Sequence, residues 1–190
     1  MEPEKLAIVG VVLVTVTVGL FIGASFLTFP AADNGGDEPT LTKYTTDRDL
    51  AELELSVPSS WSFEMSDGST LDLSALRGQV VVVDLMATWC PSCATQNTYL
   101  AEINDNLVGT AIVISLTVDD SETAAMMADY KSTKALDWPH GVDTGSSFEN
   151  YFNVRNIPTL VLIDADGVFR YLHVGTWSSA AMTDTIASII

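Results

Sequence analysis

The stretch Val80–Cys93, VVVVDLMATWCPSC, is the part of the sequence from which the fold can be read. Its first half, Val80–Met86, is a continuous apolar run of strand length, interrupted only by Asp84. A strand without polar alternation is covered on both faces, so other layers are expected above and below it. The second half sets Cys90 and Cys93 directly after that strand, where Cys90–Asn106 reads as a helix with Ala94, Leu100, Ile103 and Leu107 near helical spacing. Pro91 in the first turn costs this helix nothing, because its missing N–H had no partner there.

Two cysteines at this spacing can close a disulfide across one helical turn. The closed loop is so short that the bond restricts the unfolded chain only modestly, which suits exchange better than support. Cys90 faces unpaired backbone N–H groups and the positive end of the helix dipole, both of which favour a thiolate. Cys93, one turn inside, is better protected and placed to attack a mixed disulfide formed at Cys90. A passive disulfide, or half of a zinc site, is the alternative. Zinc would need two more N or S ligands, and only His140 and His173 could supply them. No metal or cofactor is assigned.

Working outward, Trp61–Met65 and Thr70–Leu73 flank Ser66-Asp67-Gly68-Ser69, a turn between two short strands. Ser74–Gly78 reads as a helical turn closed by glycine. Thr110–Val118 is a second buried strand, and Ser121 caps a helix running to about Thr133. Trp138–Val142 is read as a short strand and Ser146–Phe152 as a short helix. Thr159–Asp164, the turn Ala165-Asp166-Gly167 and Val168–Val174 form a hairpin, and Ser178–Ile190 is an amphipathic last helix. The order β-β, β-α-β-α, β-β-α predicts an α/β domain of about 135 residues, a mixed sheet with helices on both faces.

With these elements in place, Val80–Cys93, preceded by Asp67-Gly68-Ser69-Thr70-Leu71 and followed by Asn156-Ile157-Pro158-Thr159, resembles the thioredoxin superfamily. Within it the sequence is most similar to the membrane-anchored TlpA/ResA-like thiol-disulfide oxidoreductases, from roughly Val57 to the C-terminus. The resemblance implies a thioredoxin-like fold with an N-terminal β-hairpin extension, Cys90 as nucleophile and Cys93 as resolving thiol. It also implies a cis Ile157–Pro158 bond, setting Pro158 against the disulfide where the neighbouring backbone can pair with an extended substrate. Trp89 is expected to pack beside the site, and Arg155 is a possible substrate contact. Asp84 matches the buried acid of thioredoxins; a buried carboxyl without a partner has a raised pKa and can exchange protons with a thiol. A carboxylate satisfied by local hydrogen bonds is the plainer reading.

Other features narrow the chemistry. Between the cysteines, Pro-Ser lacks the histidine of strongly oxidising relatives, and no lysine lies near the motif, which favours a reducing potential. An oxidase or isomerase is the nearest alternative, and a non-catalytic binding domain with a static disulfide the second. The peroxiredoxin-type proline five residues upstream of the reactive cysteine is replaced by Leu85, and copper delivery would want a wider cysteine spacing.

The chain has 190 residues with 8 Lys+Arg against 25 Asp+Glu, a net −17, which argues against nucleic acid or an anionic membrane surface as partner. An acidic surface of this kind fits either a high-salt habitat or simple solubility. Leu6–Phe29 carries no charge and, as a helix, would rise about 36 Å, enough to cross a bilayer core of about 30 Å. The expected organisation is a short tail over 1–5, a transmembrane anchor over 6–29, a flexible acidic linker over 30–56 and the thioredoxin-like domain over 57–190. The tail holds Lys5 but also Glu2 and Glu4, so flanking charge does not orient the span. The chemistry does: an extracytoplasmic domain is expected, with protein substrates bearing cysteine pairs, apocytochrome c by family precedent. A membrane electron donor carrying cysteines would supply it.

Overall fold

The computed structural model describes residues 47–190. The expected tail 1–5, the span 6–29 and the tether over residues 30–46 lie outside the described residues. Among the described residues, no helix is long and apolar enough to cross a membrane.

All seven residues of β4 (Val80–Met86) are buried, and the strand lies inside an eight-stranded sheet. Its neighbours are β5 (Ala111–Thr117), parallel, with Asp84 opposite Ser115, and β7 (Thr159–Ile163), antiparallel, with Asp84 opposite Leu160. Beyond β5 lies β6 (His140–Val142), parallel, then β2 (Ser62–Met65) and β3 (Thr70–Asp72); beyond β7 lie β8 (Phe169–Val174) and the two-residue β1 (Arg48–Asp49).

The pleat of β4 divides the core. Val81, Val83 and Leu85 face a cluster with Leu116, Trp61, Phe63, Phe169 and the Phe148 and Phe152 of α3 (Ser147–Phe152). Val80 and Val82 face the opposite cluster, with Leu100 and Ile103 of α1 (Pro91–Asn106) and Met182 and Ile186 of α4 (Ser179–Ala187). Helices therefore cover both faces, as the apolar run demands. Gln96 of α1, fully buried, joins α1 to the start of α4 by donating to the carbonyl of Trp177 (3.1 Å) and accepting its N–H (2.7 Å).

Two expectations are corrected. Residues 47–56, assigned to the linker, belong in large part to the domain: Arg48 and Asp49 pair with Leu172 and Tyr171, and Leu50 is fully buried. The reason is mutual need, since β8 would otherwise expose an unpaired edge and Leu50 an apolar side chain. Helix α2 (Ala124–Lys134) is capped by Thr123, whose hydroxyl accepts from Met126 N–H, and not by Ser121. The hydroxyl of Ser121 is drawn instead to the Asp119 carboxylate at 2.6 Å.

The β2–β3 hairpin is no loose appendage, because β2 also pairs with β6, placing Met65 opposite Gly141. A Cβ at Gly141 would stand 2.6 Å from the Glu64 carbonyl oxygen and 2.7 Å from Met65 Sδ. Gly141→Ala is therefore expected to destabilise the domain by about 1–3 kcal/mol, read as a lowered midpoint in thermal unfolding.

Candidate redox site

The end of β4, the turn Ala87–Trp89 and the first turn of α1 bring the two cysteines together. Cys90 is the N-cap of α1, in extended backbone conformation, and its sulfur accepts the N–H of Cys93 at 3.1 Å. A sulfur thus stands where serine, threonine or aspartate usually caps a helix, and receives the field of the free N–H groups directly. Cys90 and Cys93 are joined in a disulfide, with Cα atoms 5.2 Å apart. Cys93 is wholly buried, whereas Cys90 keeps 4% of its surface. The less deeply buried cysteine is the one at the helix tip.

The Ile157–Pro158 bond is cis, as the resemblance implied. The Ile157 carbonyl oxygen lies 3.9 Å from Cys90 Sγ and accepts the Ser92 hydroxyl at 3.4 Å, while Ser92 Oγ is 3.3 Å from the same sulfur. Pro158 is buried and Ile157 half-buried beside the disulfide. Trp89 is 65% exposed, with its indole N–H donating to Asp119 Oδ2 at 2.7 Å. The Ser121 hydroxyl, then that indole, hold the Asp119 carboxyl below the ordinary range. Arg155 is exposed on the segment leading to Pro158.

Asp84 is fully buried on the face of β4 that packs against α1, one pleat before Met86, which clusters with both cysteines. Ser115 donates to its Oδ2 at 2.9 Å and itself accepts the Trp138 indole N–H at 3.0 Å, while Oδ1 has no protein partner. Burial pushes the Asp84 pKa up to about 7, against the smaller opposing pull of Ser115. One oxygen of Asp84 is thus satisfied and the other is not.

Neither histidine approaches the cysteines as a metal ligand would. His140 is buried with Nδ1 2.8 Å from the Trp138 carbonyl, and burial drives its pKa down to about 4, so it stays neutral. His173 lies on β8, two strands from β4, with Nδ1 2.9 Å from Asp47 Oδ2. Among the described residues, no three His, Cys, Asp or Glu side chains form a group able to hold a metal.

Sequence reasoning missed the polar groups around the motif. Asn97, one turn beyond Cys93, donates to the Tyr130 hydroxyl at 2.8 Å, and Tyr130 packs with both cysteines. Glu122, buried in the loop after β5, accepts the Thr88 N–H (3.0 and 3.2 Å) and the hydroxyls of Thr88 and Thr117. Only tertiary structure reveals that burial, because a glutamate directly after the expected cap Ser121 reads as the first turn of a helix.

A mixed sheet between helices, with a CxxC disulfide capping a helix beside a cis-proline, is the thioredoxin arrangement, and the family and relatives that follow make the chain a thiol-disulfide oxidoreductase of the TlpA/ResA-like type. The chain belongs to the Redoxin family, which it matches over residues 52–187. It is similar to the thiol:disulfide interchange protein DsbE of Vibrio cholerae, at 26% identity over 181 residues, covering 90% of this chain and 88% of that protein. It is also similar to the thiol-disulfide oxidoreductase ResA of Bacillus thuringiensis, at 27% identity over 101 residues, covering 53% of this chain and 58% of the relative. The crystal structure of a DsbF homologue from Corynebacterium diphtheriae superposes with a TM-score of 0.67 at 17% identity, covering 77% of this chain and 95% of that one, a likeness of fold.

A carboxyl whose pKa rises from 3.8 to about 7 on folding costs stability as pH climbs through that window. The cost is absent below the unfolded value and complete above the folded one. Asp84→Asn is thus expected to stabilise the oxidised protein above pH 7, by at most about 4 kcal/mol, with the gain vanishing near pH 4. Thermal melts of both forms across that range check it.

Proposed function

We propose that this chain is a membrane-tethered, extracytoplasmic thiol-disulfide reductase whose Cys90–Cys93 pair reduces cysteine pairs in protein substrates. Apocytochrome c-type maturation is the leading case. The observation that carries this reading is the sulfur of Cys90 at the N-cap of α1, the less buried residue of the pair and facing the first N–H groups of the helix, with Cys93 sealed one turn behind it.

In the reduced enzyme, the Cys90 thiolate attacks one sulfur of the substrate disulfide. A mixed disulfide forms, and the released substrate thiolate takes up a proton. Cys93 then loses its proton to Asp84 and attacks Cys90 Sγ, freeing the second substrate thiol and leaving the enzyme in the disulfide form. Two electrons pass to the substrate, and a membrane partner with its own cysteine pair restores them. Trp89, Ile157 and Pro158 form the platform on which an extended substrate lies, close enough for the Cys90 sulfur to be reached. Asp84 suits its role because a carboxyl poised near neutrality both accepts and returns a proton at working pH.

The anchor over 6–29 and the extracytoplasmic placement draw support from the uncharged span itself and from a DsbE match wider than the described domain. The domain then begins near residue 47 and the tether is correspondingly shorter. Reporter fusions at the C-terminus, active only outside the cytoplasm, test the side.

The reading predicts that Cys93→Ser accumulates disulfide-linked adducts through Cys90, released by dithiothreitol, while Cys90→Ser accumulates none. Equal trapping by both variants would remove Cys90 from the attacking role. Asp84→Asn is expected to slow insulin reduction at pH 7 about tenfold or more. Its rate should rise only at the pKa of the thiol itself, a shift visible in the pH profile.

A further inference from the structure

We propose that Glu122 is a positioning residue for thiol-disulfide exchange: it fixes the turn that presents Cys90 and, with Asp119, supplies a negative field that weakens the Cys90 thiolate. This rests on the attacking role of Cys90 given above. The two residues before the nucleophile are each held by a carboxylate of the same loop. Thr88 is held through its N–H and hydroxyl by Glu122, and Trp89 through its indole by Asp119. The loop is itself braced, since Thr117 gives its hydroxyl to Glu122 and Glu122 gives its N–H to the Asp119 carbonyl at 2.9 Å. A buried acceptor with three donors aimed at it is a matched site, and an ionised carboxylate, acceptor only, suits such a ring.

Holding a turn does not require charge, whereas the thiol two residues on responds to it. An anion near a thiol disfavours its ionisation, opposing the helix N-terminus. Around Cys90, β4 contributes Asp84, α2 contributes Tyr130, and the β5–α2 loop contributes Asp119 and Glu122. The segment before β7 adds the Ile157 carbonyl and the exposed Arg155, and α1 itself adds Ser92 and the Cys93 N–H. Less thiolate means a less stabilised reduced form and a more reducing couple.

The test uses the full chain, reduced, with iodoacetamide alkylation of Cys90 followed against pH and the Cys90–Cys93 couple equilibrated with glutathione. In Glu122→Gln the alkylation midpoint should fall by about half to one pH unit. The equilibrium should move about threefold to tenfold toward the reduced enzyme, or about 15–30 mV. Glu122→Asp, which keeps the charge but shortens the reach to Thr88, should melt lower while keeping the parent midpoint. A Glu122→Gln protein that melts lower with both redox readouts unchanged would overturn the proposal, as would an equal midpoint shift in Glu122→Asp. If Glu122→Gln does not fold, Asp119→Asn replaces it, and an unshifted midpoint there overturns the shared field. Failure of the parent reading is a separate result: Cys90 of the unsubstituted chain then alkylates no faster than Cys93 at any pH.

Discussion

The complete burial of β4 is the constraint from which the rest follows. A strand with seven buried residues must hydrogen-bond on both edges and be covered on both faces, and here β5 and β7 pair with its two edges while α1 and α4 cover one face and α3 the other. Those neighbours bring chemistry with them. The antiparallel partner β7 begins directly after Pro158, and the helix that leaves β4 begins directly after its N-cap Cys90, so both features meet where the strand ends. Asp84 is the one charged side chain accepted into this strand, and its cost in solvation is what brings its pKa to neutrality.

Where a signal was local, the sequence carried it. The apolar run gave β4 with its limits intact, because burial on both faces leaves no polar residue to blur them. Pro91 and the spacing of the cysteines gave the start of α1, and Ser178 gave the cap of α4, whose hydroxyl accepts from Ala181 N–H. The cis bond at Ile157–Pro158 came from resemblance, as backbone chemistry alone favours trans.

What could not be read was decided by competition between distant groups. Ser121 and Thr123 flank Glu122, and either could cap α2; the choice fell to Thr123 because Asp119 captured Ser121. Asp47–Leu55 has no clear period, and its placement came from the vacant margin of β8, some 120 residues along the chain. Likewise the partners of Asp84 and Thr88 come from β5 and the loop after it, which no window along the chain brings together.

The two-residue β1 has an effect beyond closing a gap. With it in place, one margin of the sheet ends in Arg48–Asp49 and the other in the three-residue β3, Thr70–Asp72. Short, charge-bearing margins offer little template for another chain to add itself by backbone pairing. The sheet is thereby guarded at both margins against strand addition by another chain.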